Sequence, residues 1–342
     1  MKPITRREFV KIAGTSLTAV AAQQLLSACG IKPTATELPT ETKQPQATES
    51  LTEASATEAA TEESAQNSTS TPAQTAYLAA VRGEKIEEMV RQGLKALGGM
   101  ERFMKPGADV IIKPNICVAY NTYEYASTTN PWVVGALVKL CIESGAKRVR
   151  VMDFPFGGTP DQAYRNSGIQ EQVEAAGGSM EIMSGLKYVK KAIDGAVSLK
   201  QVEVYQDVLT TDLLINVPIA KNHSMARLTL GLKNLMGTIL DREAIHPSFE
   251  KNLSDLATLV KPQLTVIDGI RTLMANGPTG GSLDDVKLQN TLIFSPDIVA
   301  ADSYATRLFG KTADYLPYLG AAEKRGLGKA DLSGLKIEEI NV

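Results

Sequence analysis

The chain has 342 residues, a formal charge of −2 and 5% aromatic residues. The first thirty residues are basic, the next forty-five acidic, and the remainder neutral, so the globular part lacks the basic footprint of a nucleic-acid binder. Three cysteines without CxxC spacing argue against an iron–sulfur cluster within this chain.

Residues 1–29 read as a twin-arginine lipoprotein signal peptide. Arg6 and Arg7, followed by Phe9 and Lys11, form the export signal. Leu26-Ser27-Ala28-Cys29 is a lipobox, in which Cys29 becomes the acylated first residue. The apolar run from Ile12 to Ala28 is broken by Thr15, Ser16, Thr18, Gln23 and Gln24, whereas a spanning helix needs ~20 mostly apolar residues. The expected partners are the twin-arginine export machinery and a membrane reached through a lipid anchor. The expected location is extracytoplasmic, on the outer face of the cytoplasmic membrane or on the cell surface. Twin-arginine export carries folded proteins, often with a cofactor already inserted.

Residues 30–75 are rich in Thr, Glu, Ser and Ala, with no aromatic residue. Such a segment cannot bury enough apolar surface to offset chain entropy, and it reads as a disordered linker. Its seven glutamates against two lysines favour an extended chain.

Residues 76–342 are long enough for a sizeable core. Asp109 to Ile112 is a short buried strand, ended by Lys113-Pro114-Asn115. Asn130-Pro131 looks like an N-cap with proline at the first helical position, and a helix follows from Trp132 to Ser144, closed by Gly145. Arg148 to Met152 is the next strand, ending in Asp153, which completes a β-α-β unit. Asp161 to Ala176 reads as helix with a break near Gly168. Val197 to Tyr205 alternates like a half-buried strand. Asp212 to Val217 is a buried strand stopped by Pro218. Ser254 to Val260 is helical, Leu264 to Ile267 is a strand ending in Asp268-Gly269, Thr291 to Phe294 is another strand, and Asp297 to Leu308 a helix. The pattern defines an α/β class with a mostly parallel sheet flanked by helices.

Polar residues follow the carboxyl ends of these strands: Lys113 and Asn115, Asp153, Asn216 with Lys221 and His223, and Asp268. Ligands bind outside those ends in open α/β sheets. His223 and His246 are the only histidines. With Asp153 they would make an open divalent-metal site, and Asp153, His223, His246 and Asp268 would bind that metal or move protons as the catalytic set. Lys113, Asn115, Lys221, Lys233 and Asn234 would hold an anionic substrate. Gly277-Pro278-Thr279-Gly280-Gly281 reads as a turn or as an anion-binding nest. Cys117 is a rim residue that a histidine would activate, and Cys141 reads as a buried core thiol. Asp302 would cap a helix or reach the rim.

Taken in order, Lys113-Pro114-Asn115, Thr128-Thr129-Asn130-Pro131, Asp153, Pro218 to His223, Gly231 to Gly237, His246, Asp268-Gly269, Gly277-Pro278 and Asp302 resemble domain of unknown function family 362. The resemblance covers about residues 111–308. It implies the α/β fold and this set of positions. Members often carry a ferredoxin-like iron–sulfur module, and the cysteines for it are absent here. The leading expectation is an exported, lipid-anchored enzyme acting on an anionic small molecule. The alternative is a solute-binding lipoprotein without catalysis.

Overall fold

The computed structural model describes residues 75–342. The signal peptide and most of the linker lie outside them. The parallel core of the sheet is built by β2 (Asp109–Pro114), β3 (Arg148–Val151), β4 (Ser179–Met180), β7 (Leu213–Val217) and β10 (Leu264–Leu273). The strand order is β10-β7-β2-β3-β4, all parallel. On the other side of β10 the sheet turns antiparallel through β11 (Val286–Ser295) and β1 (Leu78–Arg82), and β12 (Ile337–Asn341) closes that edge. β8 (Ile219–His223) also pairs with β10 and forms a hairpin with β9 (Arg227–Thr229). β5 (Tyr188–Ala192) and β6 (Gln201–Tyr205) form a separate two-stranded sheet.

Residue parity decides which face each side chain serves, because successive side chains along a strand point to opposite faces. Ile112, Ile215 and Val266 join one core with the helices α1 (Ile86–Ala96), α2 (Pro131–Glu143), α3 (Pro160–Asn166) and α4 (Ile169–Ala175). Ile111, Leu214 and Ile267 join the other, under α6 (Gly231–Asn234), α7 (Phe249–Leu259), α8 (Ile298–Ala305) and α9 (Pro317–Lys324). The short α5 (Asp207–Thr210) precedes β7. The result is a three-layer α/β/α domain. No helix among the described residues is long and apolar enough to cross a membrane.

The β2-α2-β3 unit forms as its sequence dictates. The Asn130 side chain accepts from the Trp132 N–H, and Pro131 occupies the first helical position, where a missing N–H costs nothing. Gly168, with φ of 75°, separates α3 from α4 because the left-handed region suits a residue without Cβ. Four elements depart from their sequence outlines. β10 runs on through Asp268-Gly269 to Leu273, with a register shift between Gly269 and Arg271. α7 starts five residues early, because Ser248 caps it by accepting from Lys251 N–H. β6 keeps only Gln201–Tyr205 and lies outside the main sheet. Lys221 and His223 belong to a strand of their own, β8.

Candidate functional site

Parity places Lys113 and its register partner Asn216 on the face covered by α6. The Lys113 ammonium donates to Asp153 Oδ1 at 2.7 Å, to Pro114 O at 3.0 Å and to Asn234 Oδ1 at 3.2 Å. Asp153 Oδ2 accepts the Ile116 N–H at 2.6 Å. Burial pushes the Lys113 pKa down, and the Asp153 carboxylate opposes that shift. Asn234 Oδ1 also accepts from Asn115 Nδ2 at 3.1 Å, while its Nδ2 donates to Asn216 Oδ1 at 2.9 Å. Asn216 Nδ2 in turn donates to Gly231 O at 3.1 Å. This network forms a polar floor under the ends of β2, β3 and β7.

α6 is held over that floor by Asp302 of α8. Its carboxylate accepts Gly231 N–H at 2.6 Å and Leu232 N–H at 2.9 Å, satisfying donors that a helix start leaves free. Asp302 is therefore a cap and does not reach the rim. Burial raises its pKa to about 7.

A cationic wall rises from the floor. Lys221 is buried and donates to Ser127 O at 2.7 Å. The Arg242 guanidinium lies 4.6 Å from the Phe154 ring centre and donates to the Phe154 carbonyl. Lys233, half-buried on α6, has no hydrogen-bond or ion-pair partner among the described residues, and its Nζ lies 5.9 Å from the Phe249 ring centre. Burial depresses its pKa to about 7; the charges of Lys221, Arg242 and Lys113 add to the depression and Cys117 opposes it.

Both histidines stand beside the same ring, with centroids 6.4 Å (His223) and 5.4 Å (His246) from Phe249. His223 Nδ1 accepts N–H donors from Met225 at 3.1 Å and Ala226 at 3.2 Å, which puts its proton on Nε2. Burial, with Lys233, Lys221 and His246 nearby, lowers its pKa to about 3, so the ring stays neutral. His246 Nδ1 lies 3.1 Å from Glu243 Oε2.

These groups surround one cavity of about 280 Å³. Of the residues the sequence nominates, Lys113, Asn115, Asp153, Lys221, His223, Lys233, Asn234 and His246 all line it, together with Cys117 and Pro278. Asn115 Oδ1 and Thr229 Oγ1 are buried there without a partner among the described residues. Arg242 also lines the cavity, in the same short segment as His246, although the sequence pattern assigns it no role.

Asp268 is the exception. β10 continues past it, and its parity with Val266 and Ile270 turns it to the α2 face. Its carboxylate accepts Asn130 N–H at 2.7 Å and Ile270 N–H at 3.0 Å, and burial raises its pKa to about 6. It anchors the start of α2 and has no place in the cavity. The expected metal set of Asp153, His223 and His246 is also corrected. Both Asp153 oxygens and His223 Nδ1 are committed to protein donors, and no group of three or more His, Cys, Asp or Glu among the described residues is arranged to hold a metal ion. Cys117 and Cys141 are both free and buried. Cys141 belongs to the core beneath α2, where burial pushes its thiol up to about 12.

The Thr128-Thr129-Asn130 segment is a latch. Thr129 Oγ1 accepts Asn115 N–H and donates to Val217 O, and Thr128 Oγ1 accepts Cys117 N–H. A three-layer α/β domain with a cationic cavity at the ends of parallel strands is the class that fold and site define. Domain of unknown function (DUF362) matches residues 110–307, and the chain belongs to that family. It is 30% identical over 247 residues to the thylakoid-associated protein sll1697 of Synechocystis sp., covering 70% of this chain and 74% of that protein. Among solved structures it is similar to the lactate racemase apoprotein from Thermoanaerobacterium thermosaccharolyticum, with a TM-score of 0.43 and 12% identity, over 64% of this chain and 54% of that one. The chain thus spans about half the length of the racemase, and at that score the likeness carries no argument about chemistry.

Proposed function

We propose that the cavity binds a small anion and that the protein is an exported, lipid-anchored enzyme acting on it. The observation that carries this reading is the uncompensated charge of Lys221, Lys233 and Arg242 around one cavity, none of them ion-paired among the described residues. Three desolvated cations facing one space repel one another, and an anion relieves that repulsion. Lys113 adds no net charge, since Asp153 neutralises it. Asn115 and Thr229 supply polar atoms for the uncharged part of the ligand.

Export and anchoring rest on Arg6, Arg7 and the lipobox at Cys29, which lie outside the described residues. Membrane fractionation of the full chain beside Cys29→Ala tests the anchor, with release of the variant expected. Calorimetric titration of the full chain with propionate and with inorganic phosphate tests the cavity. At least one should bind, and Lys233→Met should weaken it about tenfold, the loss of one charge-assisted hydrogen bond. Equal affinity in Lys233→Met would remove the cavity from the reading. Binding without turnover of any compound in the class would identify a solute-binding lipoprotein instead.

A further inference from the structure

We propose that Lys233 forms an imine with the carbonyl carbon of a small anionic aldehyde or ketone held in this cavity. The inference rests on the anion-binding reading and specifies the substrate class: the ligand carries a carbonyl as well as its charge.

The first support is what surrounds the amine. A lysine whose ammonium is desolvated ordinarily meets a carboxylate or several carbonyl acceptors. Lys233 Nζ meets neither among the described residues, and the Phe249 ring centre lies 5.9 Å from it. The two carboxylates of the cavity are committed elsewhere, Asp153 to Lys113 and Ile116 N–H, and Glu243 to His246. The other charged groups facing it are Lys113, Lys221 and Arg242, all cations, with Cys117 and His223 alongside. An amine desolvated among cations is the arrangement that yields a free nucleophilic lysine. The depressed pKa of Lys233, about 7, follows from the same geometry. Lys113, by contrast, is bound to three acceptors and is not free to attack.

The second support is the placement of the two imidazoles, which converge with Lys233 on the Phe249 ring. The step balances without any oxidant or reductant. Neutral Nζ attacks the carbonyl carbon, and the carbonyl electron pair moves to oxygen, which takes a proton. Nitrogen loses its protons as the hydroxyl leaves with one of them as water. The net change is amine plus carbonyl to imine plus water. His246, poised on Glu243, is placed to carry the protons. Neutral His223, with its proton on Nε2, is a hydrogen-bond donor to the carbonyl oxygen.

The test uses pyruvate and dihydroxyacetone phosphate as carbonyl probes, with propionate and inorganic phosphate as carbonyl-free references. The full chain is incubated with each probe and cyanoborohydride at several pH values, and adducts are mapped by peptide mass spectrometry. The expected result is an adduct at Lys233, at least tenfold above any other lysine, rising through about pH 7 and absent from Lys233→Arg. Competitive reductive methylation of the unmodified wild type supplies a reading that needs no variant, with Lys233 expected to be the fastest lysine near pH 7. Calorimetric binding of propionate or phosphate without a Lys233 adduct from either carbonyl probe overturns the imine and leaves the anion site standing. Adducts spread evenly over surface lysines also overturn it. Loss of both binding and adduct overturns the two readings together.

Discussion

Lys113 Nζ lies 2.7 Å from Asp153 Oδ1, and the two side chains are only 2% and 4% exposed. The pair links the ends of two adjacent parallel strands, and Asn234 and Ile116 complete its hydrogen bonds. Removing one partner strands a charge in a desolvated site. Lys113→Met should therefore cost about 3–5 kcal/mol of stability. Lys113→Met with Asp153→Leu removes both charges and should cost less than Lys113→Met alone. Urea unfolding of the three proteins checks this, and a double variant no better than the single one would show that the pair is not a unit.

Gly237 leaves the space that pair occupies. A Cβ there would stand 2.3 Å from Asp153 Oδ1 and 2.6 Å from Lys113 Nζ. Space is the constraint, and neither group can swing away without breaking its other bonds. Gly237→Ala should destabilise the domain by about 1–3 kcal/mol, the usual cost of overpacking. In the Lys113→Met/Asp153→Leu background the penalty should shrink, which a thermodynamic cycle would read directly.

The sequence displays the strands and their polar ends well because each buried strand is a short apolar run with a clear stop. β2 and β7 are of this kind, β3 alternates arginine with valine up to its stop at Asp153, and the capped α2 between β2 and β3 is equally legible. Asp268 misleads because Asp-Gly looks like a strand end, whereas the antiparallel partner β11 carries β10 onward through it. Lys233 and Asn234 are neighbours in sequence on a single helical turn, yet they serve different surroundings. Asn234 joins the floor network and Lys233 the cavity wall. That division depends on tertiary packing, and no periodicity over four residues reveals it. Arg242 is likewise set by its stacking on Phe154, 88 residues away in sequence.

Two buried groups set opposing pH dependences of stability. His223 has its pKa lowered from 6.5 to about 3, so the unfolded chain binds more protons between those values. Its contribution is full above pH 6.5 and lost as pH falls toward 3. Asp302 has its pKa raised from 3.8 to about 7, so the folded chain binds more protons in that window. Its contribution is full below pH 3.8 and lost as pH rises through about 7. Asp268, raised to about 6, acts in the same direction as Asp302. The wild-type curve mixes these slopes, and difference curves separate them. His223→Asn keeps an acceptor near the Met225 and Ala226 N–H groups and should gain on wild type as pH falls from 6.5, by on the order of 2 kcal/mol. Asp302→Asn should gain on wild type as pH rises from 4 to 7, even if its lost acceptor lowers the whole curve. Parallel curves in either comparison would contradict the assigned burial cost.

Anion binding should report the ionisation of Lys233. Propionate is the suitable probe, since it does not itself titrate above pH 6. Below pH 7 the Lys233 ammonium contributes its charge to the ligand, and above pH 7 that charge is lost. Affinity should fall roughly tenfold from pH 6 to pH 8.5, the worth of one charge-assisted hydrogen bond. Lys233→Arg keeps the cation across this range and should flatten the profile, whatever its absolute affinity. Lys113, neutralised by Asp153, and His223, which stays neutral, predict no such step, and the Lys233→Arg profile separates Lys233 from every other group that lines the cavity. Because bound anion favours the charged amine, binding near pH 7 should also take up protons. Calorimetry in two buffers of different ionisation enthalpy measures that uptake. A step that survives in Lys233→Arg would place the titration on another group and remove Lys233 from the ligand's charge partner set.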